Sequence, residues 1–381
     1  MTLRDNGLNI PGLHKSHFTV QFHFTEICNL RCLHCYDSAA QNSDQPLDQL
    51  CHIIDRTFSV IVREWGRPIA LSLTGGEPFA SRNLFPLLSY IKDKYGETEV
   101  EIKILSNGTL ITEDHARVLK SSFPMVRAVQ ISLDGVRQET HERIRGAGTH
   151  LKALRACELL VRHGIHVAAH MVVTDVNYPE AFELTDLGKK HGLYRLTVTR
   201  MVPIGRGREL GKLEISQPQV RELYSKLNRD ADILDSSSEP LRIARYRCDW
   251  PVLYSPPKYK LEDLYYPFTG NGGACAIGDH MMTIMSDGTA LACRRLPLPL
   301  GNILEDDLRN IWNHPMLWKI RLRHRYTKGK CEKCEFMTDE RLRFSCGGGG
   351  ALCITYAHYG DAFRPDVGCS YERAAVTSRT G

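Results

Sequence analysis

Near its start the chain carries three cysteines within eight residues, Cys28-Asn-Leu-Arg-Cys32-Leu-His-Cys35, directly after an apolar run from Phe18 to Phe22. Three thiolates on one short loop suit a cubane 4Fe–4S cluster, which then keeps one iron without a protein ligand and open to a substrate. The competing chemistry is zinc, with His34 or Asp37 completing a tetrahedral site. The CxxxCxxC spacing after a strand favours iron over zinc. So does the Thr74-Gly-Gly-Glu-Pro78 break that ends the next strand. Glycines there let backbone approach a ligand closely, and the Glu77 carboxylate is able to receive an ammonium group.

Eight of the thirteen cysteines come late: Cys248, Cys275, Cys293, Cys331, Cys334, Cys346, Cys353 and Cys369. No apolar core of signal-peptide type opens the chain, and no long uncharged stretch is fit to span a bilayer. A disulfide framework is therefore not expected, and grouped cysteines read as metal or catalytic ligands in a reducing cytoplasm. Cys331-x-x-Cys334 fits either a cluster or a zinc ribbon. Cys51 and Cys157 sit on apolar helical stripes as small buried side chains. The basic run Lys319 to Lys330 reads as a solvated connector, or as a groove for an acidic leader peptide, rather than as a nucleic-acid surface. Gly205-Arg-Gly207 is too short for a phosphate loop, and the sixteen histidines form no HExxH pair. A net charge of +5, with 42% hydrophobic and 24% charged residues, describes an ordinary globular protein with no required acidic partner.

The elements that must position these groups alternate. Strand patterns at Phe18–Phe22, Ile69–Leu73, Val100–Leu105, Val129–Leu133, Val167–Val173 and Leu196–Val202 are separated by helical stretches such as Leu47–Trp65, Leu151–Val161 and Ala181–His191. Strands spaced by helices imply parallel pairing, hence an α/β barrel or layered sheet whose active face lies at the carboxyl ends of its strands. Thr74–Pro78, Ser106-Asn-Gly108 and Ser132-Leu-Asp-Gly135 all fall at such ends. Residues Arg229–Pro240 read as a linker, which sets two units: a core domain over 1–235 and a cysteine-rich unit over 236–381 that needs a metal staple.

The Cys28/Cys32/Cys35 spacing and the Gly75-Gly76-Glu77-Pro78 loop resemble the radical S-adenosylmethionine (radical SAM) superfamily. That resemblance implies a partial, open parallel (β/α)6 barrel and a 4Fe–4S cluster whose unique iron chelates the methionine moiety. Reductive cleavage then gives a 5′-deoxyadenosyl radical. It implies cofactor contacts from Gly75, Gly76, Glu77, Ser106, Asn107, Ser132 and Arg145, with Asp134 a weaker candidate. It also implies an electron donor such as flavodoxin or ferredoxin. The later cysteines, with Gly301-Asn-Ile and Tyr356 to Asp361, resemble the SPASM extension, which carries one or two auxiliary 4Fe–4S clusters in peptide-modifying radical enzymes. By that pattern Cys331, Cys334, Cys346 and Cys369 hold the outer auxiliary cluster and Cys275 and Cys293 the inner one. Gly350 stands where a further inner ligand is usual; Cys353 substitutes for it, or Cys248 completes the set.

In the sulfatase-maturing branch an aspartate base follows the position of Cys293; here Arg294 and Arg295 follow, which argues against formylglycine formation. The short stretch before Cys28 leaves no room for an N-terminal peptide-recognition domain. The expectation is a maturase of a ribosomal peptide, acting by hydrogen abstraction followed by crosslinking or oxidation. The same chemistry on a small-molecule cofactor or tetrapyrrole precursor is the alternative, and a non-catalytic zinc module is the third.

Overall fold

The computed structural model describes residues 17–36, 44–96, 99–209, 213–244, 277–334 and 350–370. Six parallel strands lie in sequence order: β1 (Phe18–Thr25), β2 (Ile69–Gly75), β3 (Val100–Ser106), β4 (Val126–Ser132), β5 (His166–Val173) and β6 (Arg195–Arg200). The helices that alternate with them are α1 (Leu47–Phe58), α2 (Leu84–Tyr95), α3 (Glu113–Ser122), α4 (Gln138–Arg145), α5 (His150–Arg162) and α6 (Leu184–Lys190). The alternation implied a parallel α/β barrel or layered sheet and the resemblance a partial, open barrel; the six strands form that open barrel, and the sheet does not close on itself.

Alternation within each strand sorts its side chains. On β1, Phe18, Val20, Phe22 and Phe24 are all buried in the core cluster, which also holds Ile69, Leu71 and Leu73 of β2 and Ile102 and Ile104 of β3. The intervening residues, among them Gln21, Ser72 and Lys103, share the opposite face and line the lumen; register pairs Gln21 with Ser72 and Ser72 with Lys103. The helices contribute Ile53, Ile54, Leu87, Leu88, Leu119 and Leu160 to the same core.

Two outcomes differ from the sequence-based expectation. The linker expected over Arg229–Pro240 is helical in its first half, because α7 (Arg206–Glu209) is followed by a 19-residue helix, α8 (Gln217–Asp235). Val220, Leu223, Leu227, Ala231 and Leu234 give α8 a buried stripe at three- and four-residue steps, a pattern that the polar residues between them masked. A short β7 (Arg242–Ile243) then pairs with β6. The cysteine-rich unit, in turn, does not stand apart. Strand β8 (Met281–Met285) pairs parallel with β1, and β9 (Thr289–Cys293) and β10 (Leu296–Asn302) extend the sheet from that edge. One sheet of ten strands, in the order β10-β9-β8-β1-β2-β3-β4-β5-β6-β7, therefore runs through both units. Helices α9 (Leu308–Trp312), α10 (Pro315–Arg321) and α11 (Leu352–Tyr359) follow, and α11 packs on β10. No helix among the described residues is long and apolar enough to cross a membrane.

Candidate active site

The Cys28–Cys35 loop leaves the carboxyl end of β1, and every neighbouring strand end grips it. On the β2 side, Gly76 donates to the Thr25 carbonyl (2.8 Å) and Glu77 to that of Ile27 (2.7 Å). A Cβ on Gly75 would stand 1.9 Å from Thr25 O and one on Gly76 2.1 Å from Ile27 O. The close approach that the glycines permit is thus to the backbone entering the cysteine loop. Glu77 is buried; its carboxylate accepts from Ser106 Oγ (2.7 Å), the Asn107 amide (2.7 Å) and the Phe79 amide (3.1 Å). Burial raises its pKa above the ordinary carboxylate value, against those three donors. The Ser106 hydroxyl is engaged by Glu77, and the Asn107 side chain by Asn29 and Thr109. Ser132, at the end of β4, is half-buried.

On the far side the hub is Asp134, fully buried just beyond β4. It accepts from His34 Nε2 (2.7 Å), Arg145 Nε (2.5 Å) and the Val172 amide (2.8 Å). Although burial opposes its charge, the Arg145 and His34 partners hold its carboxyl far below the usual range. Arg145 in turn sets Nη1 3.8 Å from Cys32 Sγ, and the Leu33 amide donates to Ile144 O (2.9 Å). So Arg145 and Asp134, read separately in the sequence, form one unit that braces the cysteine loop.

The third support was missed. Gly205 and Arg206, dismissed as too short a phosphate loop, close over the cysteines from the β6 side: the Arg206 amide donates to Cys35 O (3.0 Å) and its Nε to Cys32 O (3.0 Å). The sequence offered only a glycine after the last barrel strand; in the structure Gly205 has φ 57° and a Cβ there would stand 2.4 Å from the Tyr36 carbonyl.

The three thiols suit a metal cluster by their own chemistry. Burial pushes Cys28 up to about 11, and the Cys32 and Cys35 sulfurs push it the same way; Cys32 is raised by burial first, with Arg145 opposing. Thiols that repel one another's ionisation need a cation to become thiolates together.

Cys293 ends β9 on the face shared with Leu291 and Thr283, hence with Gln21 of the lumen. Cys353, buried, is on α11, which packs on the neighbouring β10. Lys330, next to buried Cys331, donates to the Cys369 carbonyl (2.6 Å), which ties the Cys331–Cys334 turn to the segment of Cys369, although no three of the described cysteines stand close enough to form a metal-holding group. Cys248, Cys275 and Cys346 lie outside the described residues. Arg200 of β6 ties the terminal segment down through a buried two-bond pair with Asp366 (2.9 and 2.7 Å), a contact with no local sequence signal. Of the two helical cysteines, Cys157 is fully buried and Cys51 partly so. Within the basic run, Lys319–Arg321 end α10, Arg321 is stacked near Trp312 and Trp318 (4.6 and 4.8 Å) and Arg323 is buried, so two of its cations pack into the fold.

These features define a radical SAM enzyme with a SPASM extension. The radical SAM superfamily matches residues 22–187, and the SPASM iron–sulfur cluster-binding domain matches 275–335. Its cofactors are S-adenosylmethionine and 4Fe–4S clusters, in the barrel and in the extension. Among characterised relatives, the AdoMet-dependent heme synthase of Methanosarcina barkeri is 26% identical over 361 residues, 92% of this chain and 96% of that protein. The mycofactocin maturase MftC of Mycolicibacterium smegmatis is 29% identical over 342 residues, 87% and 77% of the two chains. The fold is that of Streptococcus suis SuiB bound to S-adenosylmethionine, with a TM-score of 0.68 at 18% identity over 94% of this chain and 78% of the other.

Proposed function

We propose that the protein is a peptide maturase. Its barrel holds the radical-generating cluster on Cys28, Cys32 and Cys35, and its substrate enters the lumen between that loop and Cys293. The observation that supports the reading is the single sheet joining the two regions: the cysteine loop leaves the carboxyl end of β1, and Cys293 ends β9, which runs antiparallel to β8, the parallel neighbour of β1, with its side chain on the face shared with Gln21. The cofactors supply a 5′-deoxyadenosyl radical for hydrogen abstraction and an acceptor for the electron left when product forms.

The chain's own residues position. Gly75, Gly76 and Glu77 fix the loop entry, while Asn107, Ser132 and Arg145 face S-adenosylmethionine with Ser106 braced behind them. Cys331, Cys334, Cys346 and Cys369 are assigned to the outer auxiliary cluster, and Cys275, Cys293 and Cys353 to the inner one, with Cys248 in reserve. A reducing cytoplasm and a flavodoxin or ferredoxin donor complete the reading. The peptide substrate rests on the likeness to mycofactocin maturase. The full-length likeness to heme synthases supports a second reading, the same chemistry on a tetrapyrrole.

Anaerobic protein given reductant and S-adenosylmethionine should release 5′-deoxyadenosine, and Cys32→Ala should not; equal release from that variant sinks the cluster assignment. Co-expression with the peptide encoded beside the gene, read by mass spectrometry, separates the substrates. An unaltered peptide together with a decreased mass of added coproporphyrin would overturn the peptide reading.

A further inference from the structure

Arg145 touches both the cysteine loop and the buried acid behind it, and does so through different atoms. It ends α4, and the loop is docked on that helix end by the Leu33 amide, which donates to Ile144 O (2.9 Å). Cys32 is thereby set beside the guanidinium. Arg145 Nη1 donates to Cys32 Sγ at 3.8 Å, while Nε donates to Asp134 Oδ2 at 2.5 Å. No hydrogen bond among the described residues takes Nη2, which is left for the cofactor contact expected of Arg145. A planar guanidinium fixes its three nitrogens together, so holding Nε also aims Nη1.

Asp134 is a firm support for that aim. Its Oδ2 also meets His34 Nε2 (2.7 Å), and Oδ1 accepts from the Val172 amide (2.8 Å). Its main chain is held as well: the amide donates to His141 Nδ1 (3.3 Å), and the carbonyl accepts from Asn177 Nδ2 (2.9 Å). Asp134, His141 and Asn177 are fully buried, and Arg145 is 9% exposed. Arg206, the other guanidinium at this loop, meets Cys32 through the carbonyl oxygen. Arg145 instead aims its cation at the sulfur.

Hydrogen bonds to ligating sulfurs and the charge around them set the potential of an iron–sulfur cluster, and a charged donor favours its electron-rich state. We infer that Arg145 tunes the reduction potential of the barrel cluster: its guanidinium, locked by Asp134, donates to Cys32 Sγ and makes the cluster easier to reduce. One electron passes from the flavodoxin- or ferredoxin-type donor to the cluster, and Arg145 exchanges neither bond nor proton in that step. The inference rests on the Cys28/Cys32/Cys35 cluster assignment and gives Arg145 a task that precedes any cofactor contact.

The test is an anaerobic redox titration of the cluster-loaded protein without S-adenosylmethionine, followed by electron paramagnetic resonance. The barrel signal is the one missing from Cys32→Ala, and the signals of the extension serve as internal standards. Arg145→Met should lower the barrel potential until the reduced fraction at a fixed applied potential falls about tenfold, which is about 59 mV for a one-electron couple. That variant strands the Asp134 carboxylate, so a double variant, Arg145→Met with Asp134→Asn, removes the pair at constant net charge. There the loss of sulfur donation alone should still lower the reduced fraction at least about threefold. The signals of the extension should stay in place in both. An unshifted or raised barrel potential in the double variant overturns the inference. So does a shift that appears only after S-adenosylmethionine is added, because Arg145 then acts through the cofactor. Loss of barrel iron from both variants, or an equal shift of every signal, overturns it too and leaves Arg145 a brace. Absence of any Cys32-dependent signal in the parent is a different result, which sinks the cluster assignment itself.

Discussion

Substituting Gly205 by alanine tests whether the cysteine loop is held from the β6 side. Gly205 has φ 57°, and a Cβ there would stand 2.4 Å from Tyr36 C and O and 2.7 Å from Cys35 O, where ordinary contact begins at 3.4 Å. The Cys35–Tyr36 peptide must therefore retreat by about 1 Å, the difference between 3.4 and 2.4 Å. That movement strains the two 3.0 Å hydrogen bonds from Arg206 to Cys35 O and Cys32 O. Left-handed backbone costs alanine about 1 kcal/mol, and two weakened hydrogen bonds add roughly 1–2 kcal/mol. Together this is on the order of 100-fold in the balance between docked and displaced loop. Gly66 supplies the control: its φ is 61° with nothing within 4 Å, so Gly66→Ala carries the backbone strain without the clash. Both variants should unfold at similar temperatures. Only Gly205→Ala should lose iron, its broad absorption near 400 nm and 5′-deoxyadenosine release. Full iron content and release in Gly205→Ala, matching Gly66→Ala, would refute the reasoning.

Glu77→Gln keeps one acceptor oxygen but turns an amide NH2 towards donors, costing about 1–3 kcal/mol; a raised KM for S-adenosylmethionine with little change in iron content should result. Asp134→Asn leaves the buried Arg145 guanidinium without its counter-charge, and thermal unfolding should register a loss of about 3 kcal/mol, with 5′-deoxyadenosine release down at least about tenfold. Lys103→Met should stabilise the protein in the absence of substrate. The folded lysine has a pKa of about 8 against its ordinary 10.5. Between those values the unfolded chain binds more protons, so stability rises with pH there and the full penalty, at most about 3 kcal/mol, is present below pH 8. Denaturant melts from pH 7 to 10 should show that rise in the parent and not in the variant.

The strands were legible because burial on their helix-facing side makes alternation strong: all six barrel strands fall within three residues of their expected starts. The Cys28–Cys35 spacing and the Gly75–Pro78 loop likewise spoke for themselves. What the sequence hid depends on pairing across distance. Asp134 is one aspartate in a turn-like segment until β5 brings the Val172 amide and α4 brings Arg145 to it. The helical half of Arg229–Pro240 carries polar residues on its outer side, so composition outweighed the Leu227, Ala231, Leu234 stripe. The continuity of β8 with β1 is a parallel contact between segments some 260 residues apart, and short-range pattern carries no trace of it.

That continuity bears on how the two cysteine sets are related. The register Thr283–Gln21 and Thr283–Leu291 joins three adjacent strands, β1, β8 and β9, in one hydrogen-bonded patch, with the cysteine loop after the carboxyl end of β1 and Cys293 at the end of β9, which runs the opposite way. A hinge between the units would demand breaking main-chain ladders on both sides of β8, each bond worth about 0.5–1.5 kcal/mol. The buried Arg200–Asp366 pair fastens the opposite edge, where removal of one partner is expected to cost about 3–5 kcal/mol. Arg200→Met should accordingly loosen the Ala351–Gly368 segment in hydrogen exchange while the β1–β8 amides stay protected. Equal loss of protection at both places would mean that the sheet, rather than the side-chain pair, depends on Arg200.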